Sequence, residues 1–264
     1  MADPGRGVTI KVGLSRISVA LHEGERIRRI KTLATPTPPE SRNALSGFFG
    51  TLWQDQRLKN LPAVLVCVVP DLSPIVSAQW SERSGRPPEI FSLSGAPFVV
   101  DYCPPETLGL DRIAAVWGAL ARFGESLGPA FMVADFGTHT VTTVLCRGRL
   151  LGGAILPGLS LMEKSLGAGR VDLVRGMGLL GRERIAGARG VGRSTGEGVF
   201  AGVVLGSIEA VSGLGRRAEE ELGEPLRIVL AGGLSRLVAP LFPQEILVNR
   251  QAIHYGAWKF LAGR

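Results

Sequence analysis

Only three cysteines, Cys67, Cys103 and Cys146, occur in the 264 residues, and they lie far apart. That gives no even disulfide framework and no metal-binding spacing, and it fits a reducing compartment. Aromatic residues are scarce, at 6%. With few rings on which bases can stack, single-stranded nucleic-acid binding is not expected as the main task. The longest apolar runs, such as Pro62 to Pro70, are too short to cross a bilayer. The opening residues, MADPGRGVTIKV, hold no apolar stretch of the signal-peptide kind. A soluble, cytoplasmic protein without a membrane partner is expected. Acidic residues are in the minority, 23 against 30 Lys and Arg, for a formal charge of +7 and a pI of about 9.9. That balance suits anionic ligands such as nucleotides, and polyanions in general. The arginines are dispersed among glycines, so no basic recognition helix and no specific nucleic-acid partner are read.

What is plentiful is glycine, with 36 residues, in a chain that is 45% hydrophobic and 20% charged. This is the balance of a globular protein with a substantial core and many tight turns, in one large domain or two ordinary ones. The most informative stretch is Ala134 to Gly158, ADFGTHTVTTVLCRGRLLGGAILPG. An apolar approach runs into Asp135-Phe136-Gly137-Thr138, followed by Val141 to Cys146, a basic turn, and Leu150 to Leu156. β-Branched residues and glycine punctuation predict three strands joined by tight turns. Asp-x-Gly-Thr at such a turn suits phosphate binding. Glycine lets oxygens approach the backbone, the threonine hydroxyl donates, and the aspartate can hold a neutralising cation. An Asx-turn in an ordinary hairpin is the plainer alternative.

The rest of the chain prefigures and then repeats this pattern. Val8 to Leu14, Arg16 to Leu21 and Arg26 to Leu33 read as three strands, with His22 to Glu25 as a turn. Helical spacing of Leu45, Phe48, Phe49, Leu52 and Trp53 predicts a helix over Ser41 to Lys59. Ala63 to Val69 reads as a buried strand, Ile75 to Trp80 as a short helix, Val99 to Tyr102 as a strand and Asp111 to Phe123 as an alanine-rich helix. Further on come a helix from Leu159, a glycine- and arginine-rich stretch over 167–195, and a long helical stretch from Thr195 to Leu222. In that last stretch Gly206 and Gly213 are expected to allow close packing. Leu226 to Leu230, Ser235 to Leu241, Glu245 to Val248 and Ala252 to Ala262 read as strand, helix, strand and helix. Three strands, helix, strand, helix, strand, helix thus occurs twice, with a boundary near 105–115.

Several motifs together resemble the type III pantothenate kinases of the actin-like and sugar-kinase-like ATPase superfamily. Tyr102-Cys103-Pro104-Pro105 and Gly109-Leu110-Asp111-Arg112 are similar to the family's Tyr-x-Asn-Pro and Gly-x-Asp-Arg. Asp135 to Thr138 is similar to its Asp-x-Gly-Thr phosphate loop, and Gly152 to Gly158 to its Gly-Gly-x-Ile-x-Pro-Gly. Gly192-Arg193-Ser194-Thr195, with Gly202 after it, is similar to its Gly-x-Asn-Thr segment, and Ala231-Gly232-Gly233 to its nucleotide-side glycine turn. The resemblance implies an α/β, two-lobed actin-like ATPase (ribonuclease H-like) fold. The lobes are expected at 1–110 and 111–264, each a three-strand meander with alternating helices and strands, and ligands are expected in the cleft between the halves.

It also implies ATP-dependent phosphorylation of pantothenate, the first step of coenzyme A biosynthesis, by a homodimer using potassium and magnesium. Asp111 would be the general base; Tyr102, Gly109, Leu110, Arg112 and Thr195 would bind pantothenate, Thr195 across the dimer interface. Asp135 would hold the monovalent cation. Lys11, Gly13, Ser15, Thr138, Gly232 and Gly233 would face ATP. Plainer readings stand beside these: Asp111 as a helix start, Tyr102 as a strand-end aromatic, Thr195 as a helix cap. His139 stands where the family usually has alanine, and His22, His139 and His254 read as structural or exposed. Met132, Met162 and Met177 read as core, and the arginines from Arg170 to Arg193 as a solvated loop.

The first turn departs from the family. Where the family has Asp-x-Gly-Asn-Thr, with the aspartate helping to hold magnesium, this chain has Lys11-Val12-Gly13-Leu14-Ser15. An ammonium repels magnesium, which prefers carboxylate and water oxygens. Either Lys11 binds a phosphate as a point charge or another carboxylate holds the metal. Two hypotheses follow: a pantothenate kinase, and a catalytically impaired relative with a binding or regulatory role. A related sugar or acetate kinase is a weaker third, because the Gly-x-Asp-Arg context argues against it.

Overall fold

The computed structural model describes residues 5–37, 41–54, 58, 60–168 and 187–263. In chain order, β1 (Arg6–Val12), β2 (Arg16–Glu23), β3 (Arg26–Ala34), α1 (Ser41–Trp53), β4 (Ala63–Cys67), α2 (Leu72–Ser84) and β5 (Glu89–Ile90) come first. Then follow β6 (Val99–Val100), α3 (Leu110–Phe123), β7 (Ala130–Phe136), β8 (His139–Cys146), β9 (Arg149–Gly152), β10 (Ile155–Pro157) and α4 (Leu159–Gly167). The chain closes with α5 (Thr195–Phe200), α6 (Gly206–Leu222), β11 (Leu226–Ala231), α7 (Ser235–Val238), β12 (Leu247–Val248) and α8 (Ala252–Ala262).

These elements group into two units. One comprises Met1–Pro97, Glu106–Arg122 and Ala252–Arg264; the other comprises Phe98–Pro105 and Phe123–Gln251. The division expected at residues 110 and 111 therefore differs from the observed grouping. α8 packs on β1 and β4 of the first unit, and the short β6 pairs with β9 of the second.

Among the described residues the first sheet runs β3-β2-β1-β4-β5, and the second runs β12-β11-β7-β8-β9-β6 with β10 beside β8. Read from its other side, β9-β8-β7-β11-β12 repeats the strand order of the first sheet. In each, an antiparallel meander is followed by parallel strands. The duplication visible in element order is therefore a duplication of topology within an α/β fold.

Alternation along β1 assigns its two faces. Val8, Ile10 and Val12 join Leu45, Phe49, Val76 and Trp80 in one core. Thr9 and Lys11 lie on the opposite face, where Thr9 meets α8 through His254. Within this unit α3 and α8 approach to backbone contact. A Cβ on Gly118 would run into the carbonyl of Ala252, and one on Gly256 into that of Ala114. Phe91, Trp117 and Phe260 fill the surrounding space at centroid distances of 5.2–6.3 Å, tilted and edge-on pairs worth about 0.5–1.5 kcal/mol each beyond their burial.

In the second unit, Met132, Ala134 and Phe136 of β7 pack with Val203, Val204, Ile208, Val211, Ile228 and Leu230. Thr195–Leu222 is continuous, α5 passing into α6 through a π turn at Ala201–Leu205. It is the one stretch among the described residues long and apolar enough to cross a membrane by length and composition, with a mean hydropathy of 1.6. This revises the expectation that every apolar run is too short. Its apolar face is buried in this core, and its end carries Arg216, Arg217, Glu219, Glu220 and Glu221.

Other boundaries moved for identifiable reasons. The strand expected over Leu150 to Leu156 is two strands, β9 and β10, because the chain turns a corner at Gly152-Gly153. The turn expected at His22 begins at Gly24, with a bulge between Leu21 and His22 keeping β2 paired. The helix expected to Lys59 ends at Trp53, and that expected over Ile75 to Trp80 spans Leu72–Ser84. The close glycine contact expected at Gly206 or Gly213 occurs at Gly215, where a Cβ would stand 3.3 Å from Ile228 and 3.5 Å from Met132. Met132 is core, Met162 packs against it, and Met177, with the arginines over 170–186, lies outside the described residues.

Candidate functional site

The turn between β7 and β8 is built from both sides. Antiparallel pairing ends at Phe136 opposite Thr140, and the Gly137 N–H donates to the His139 carbonyl at 3.1 Å. β11 runs parallel beside β7 with Ala231 opposite Asp135, so the chain leaving β11 passes directly over the turn. There Gly232 has φ +85°, and a Cβ on it would strike the Asp135 carboxylate and lie 2.7 Å from the Phe136 carbonyl oxygen. On the other side Gly158, at the N-terminus of α4, donates its N–H to the Thr138 carbonyl at 3.1 Å. A Cβ on Gly158 would stand 2.5 Å from the Gly137 carbonyl oxygen. The turn is thus clamped between two glycines. It leaves Asp135 half-buried, and Gly137, Thr138 and Gly233 exposed. A carboxylate, a hydroxyl and an open glycine backbone in one turn can take phosphate oxygens and a cation.

Two other predicted residues belong to this unit. Tyr102 lies against Gly152, whose φ is +112° and whose Cβ would stand 2.8 Å from the ring. Beside it Asp101 accepts from Arg149 at 2.8 Å, and the Asp101 N–H donates to the Leu150 carbonyl at 2.9 Å. Thr195 is exposed at the start of α5 and is not the cap. Ser194 is the cap, its hydroxyl accepting from the Glu197 N–H, while the Glu197 carboxylate accepts from the Arg193 N–H at 2.7 Å. Glu197 thus closes on the N–H one residue before the cap, and serine, like asparagine, caps a helix well.

The remaining predicted residues belong to the first unit. Asp111 and Arg112 open α3. The Asp111 carboxylate folds back, accepting from the Arg112 N–H at 2.9 Å and lying 2.6 Å from where a Cβ on Gly109 would be. Gly109 makes room for that carboxylate. Gly109, Leu110 and Asp111 are half-buried, and Arg112 is buried with contacts of its own within the chain. At the end of β1 the Gly13 N–H donates to the Arg16 carbonyl at 3.1 Å, and Thr35 braces the turn by donating to the Gly13 carbonyl at 2.7 Å. Leu14, Ser15 and Arg16 are exposed, and Lys11 is half-buried.

Beneath Lys11 lies a polar network not anticipated from sequence. Thr9 Oγ1 bonds to His254 Nδ1 at 2.7 Å and to His22 Nε2 at 3.0 Å, and Ser18 Oγ bonds to His254 Nε2 at 2.8 Å. His22 also stacks on Trp258, with centroids 4.9 Å apart. Burial pushes the His22 imidazole down to about 3. Burial, then His22, then Lys11 push His254 well below the ordinary histidine range. Both rings are neutral at physiological pH. Two opposite donor orders satisfy the bonds; the one running His22 Nε2–H to Thr9, Thr9 O–H to His254 Nδ1 and His254 Nε2–H to Ser18 leaves the buried His22 Nδ1 as an acceptor rather than as an orphaned N–H. Residues 236 and 245 positions apart carry no sequence signal for such a network; the alternation along β1 only sets Thr9 on the face opposite Val8 and Ile10.

A divalent metal fits the first turn poorly. Lys11 brings an ammonium, its neighbours there are hydroxyls, and no three His, Cys, Asp or Glu side chains stand together among the described residues. The second turn suits a monovalent cation better, because Gly232 and Gly137 bring no side chain against the Asp135 carboxylate.

Comparison with known proteins gives the family and the fold. The profile of the type III pantothenate kinase family matches residues 8–217. A type III pantothenate kinase of Thermomicrobium roseum is 30% identical over 263 residues, 94% of each chain. One of Nocardia farcinica is 31% identical over 248 residues, 89% of this chain and 86% of that one. Among solved structures, a ROK family glucokinase of Streptomyces griseus, in complex with glucose and AMPPNP, superposes with a TM-score of 0.58 at 16% identity. It covers 98% of this chain and 100% of its own. At that identity the likeness is one of fold.

Proposed function

Because the chain belongs to the type III pantothenate kinase family, we propose that it transfers the γ-phosphoryl group of ATP to the primary hydroxyl of pantothenate, opening coenzyme A biosynthesis. The observation that carries this reading is Asp111, half-buried at the opening of α3 with its carboxylate folded back over Gly109. The pantothenate oxygen forms its bond to the γ-phosphorus as the bond to the β–γ bridging oxygen breaks. ADP leaves, and the hydroxyl proton passes to the Asp111 carboxylate.

Arg112 takes the pantothenate carboxylate, a task suited to a bidentate guanidinium. Tyr102, Gly109 and Leu110 complete the pantothenate contacts, with Thr195 contributed by a second copy in a homodimer. Freed from capping by Ser194, the Thr195 hydroxyl is available for that role. Thr138, Gly232 and Gly233 receive ATP in the second unit, and Lys11, Gly13 and Ser15 in the first. Asp135 is the ligand of a monovalent cation, potassium, which offsets phosphate charge when bound. The first turn, with an ammonium at Lys11, does not suit magnesium. The cytoplasm, where ATP is abundant and thiols stay reduced, is the compartment this chemistry needs.

A binding or regulatory role is the second reading, favoured by Lys11 and the exposed Leu14 in the first turn. Complementation separates the two. In a bacterium whose own pantothenate kinase can be switched off, the wild-type chain restores growth and Asp111→Asn does not. Growth restored equally by both, or by neither although both are expressed and folded, would contradict the kinase reading.

A further inference from the structure

We propose that the first turn binds the terminal phosphates of the nucleotide without a divalent cation, the Lys11 ammonium serving as counter-charge. This rests on the ATP-using reading above and adds that nucleotide binding is independent of magnesium.

The duplicated sheets supply the first argument. Lys11 sits in β1 between Ser18 of β2 and Val66 of β4; Asp135 sits in β7 between Val141 of β8 and Ala231 of β11. Each is two residues before the glycine whose N–H closes the turn, at 3.1 Å in both cases. The same place in the fold therefore carries a carboxylate in one unit and an ammonium in the other.

The surroundings of Lys11 supply the second. Its stem bends toward the turn, with Cε 3.6 Å from where a Cβ on Gly13 would be, so its head is carried to the end of the strand. Across the strand is Ser18 and two residues back is Thr9, both hydroxyls bonded to His254. His254, the titratable group facing Lys11 from α8, and His22 behind it are neutral. Among the described residues no carboxylate pairs with Lys11. A half-buried ammonium over an uncharged floor recruits an anion, and a phosphate oxygen gives it a short charge-assisted hydrogen bond. Magnesium on the same phosphates would lower the negative charge that Lys11 meets and would stand against an ammonium of like sign.

Isothermal titration of the full chain with ATP, in EDTA and in excess magnesium at matched ionic strength, tests this. The wild type is expected to bind metal-free ATP at least as tightly as the magnesium complex. Lys11→Met should weaken metal-free binding about tenfold or more, Lys11→Arg should retain it, and Lys11→Asp should bind only with magnesium. A wild type that binds only with magnesium overturns the proposal, as does a folded Lys11→Met that binds metal-free ATP as well as wild type. If Lys11→Met does not fold, the wild-type comparison alone decides. Metal-free binding without phosphopantothenate formation would overturn the kinase reading alone; no nucleotide binding in either buffer would overturn both.

Discussion

The turns after β1 and β7 occupy one place in two sheets of matching strand order, yet they are built in opposite ways. The second is clamped between Gly232 and Gly158 and presents a carboxylate. The first is braced by the Thr35 hydroxyl, is one residue longer, and presents an ammonium beside an exposed Leu14. A duplicated fold fixes where a turn sits without fixing its charge. One copy can keep a constrained carboxylate while the other carries the opposite charge, because backbone geometry and side-chain charge are specified separately.

Making the turns alike in charge breaks the comparison most directly. Asp135→Lys should lower turnover about 10²-fold or more, the scale of losing one preorganised electrostatic contact, and should abolish any stimulation by potassium. Steady-state assays with potassium exchanged for a large organic cation read both. An unchanged, still potassium-stimulated Asp135→Lys would remove the cation role of this turn.

The clamp itself is tested by stability. Gly232→Ala forces a Cβ onto the Asp135 carboxylate at positive φ and should cost about 3 kcal/mol. Gly13→Ala meets the Arg16 carbonyl oxygen at 3.2 Å and, at 3.6 Å, the Cε of the flexible Lys11 side chain, and should cost about 1 kcal/mol or less. Urea unfolding of the two variants side by side gives the difference, and equal costs would mean that the second turn is not clamped as described.

Much of this was legible in the sequence. Turn glycines and β-branched runs located the strands, and the element order revealed the duplication. The helices reading from Leu159, just after Gly158, and from Ala252 are found where the chain suggests them. What stayed hidden depends on distant parts of the chain. α8 belongs with the first unit because Gly256 and His254 meet Gly118 and Thr9, contacts that no local window contains. Ser194 rather than Thr195 caps α5, with Glu197 reaching back to the Arg193 N–H, a one-residue choice that composition leaves open. The site motifs were visible as strings, but the clamp on Asp135 needed the parallel pairing of β11 with β7.

The histidine network gives the turns different responses to acid. His22 is held at about 3 in the folded chain against an ordinary 6.5, so the folded state resists its protonation. Its contribution is complete above pH 6.5 and is lost progressively as pH falls toward 3. Hydrogen exchange over 252–262 should accelerate in that window while residues 226–231 change less. Uniform acceleration of both segments, or none, would contradict this. The smallest effect belongs to Leu14, whose side chain is 56% exposed. Leu14→Asn should shift unfolding free energy by no more than about 0.5 kcal/mol, and a larger change in urea unfolding would mean that Leu14 packs against something.

The most direct test of the whole account is mass-spectrometric detection of phosphopantothenate after incubating the purified chain with pantothenate, ATP and potassium, with and without magnesium. The account predicts product from the wild type, reduced about 10²- to 10⁴-fold in Asp111→Asn. No product from the folded wild type, or equal product from both proteins, would contradict it.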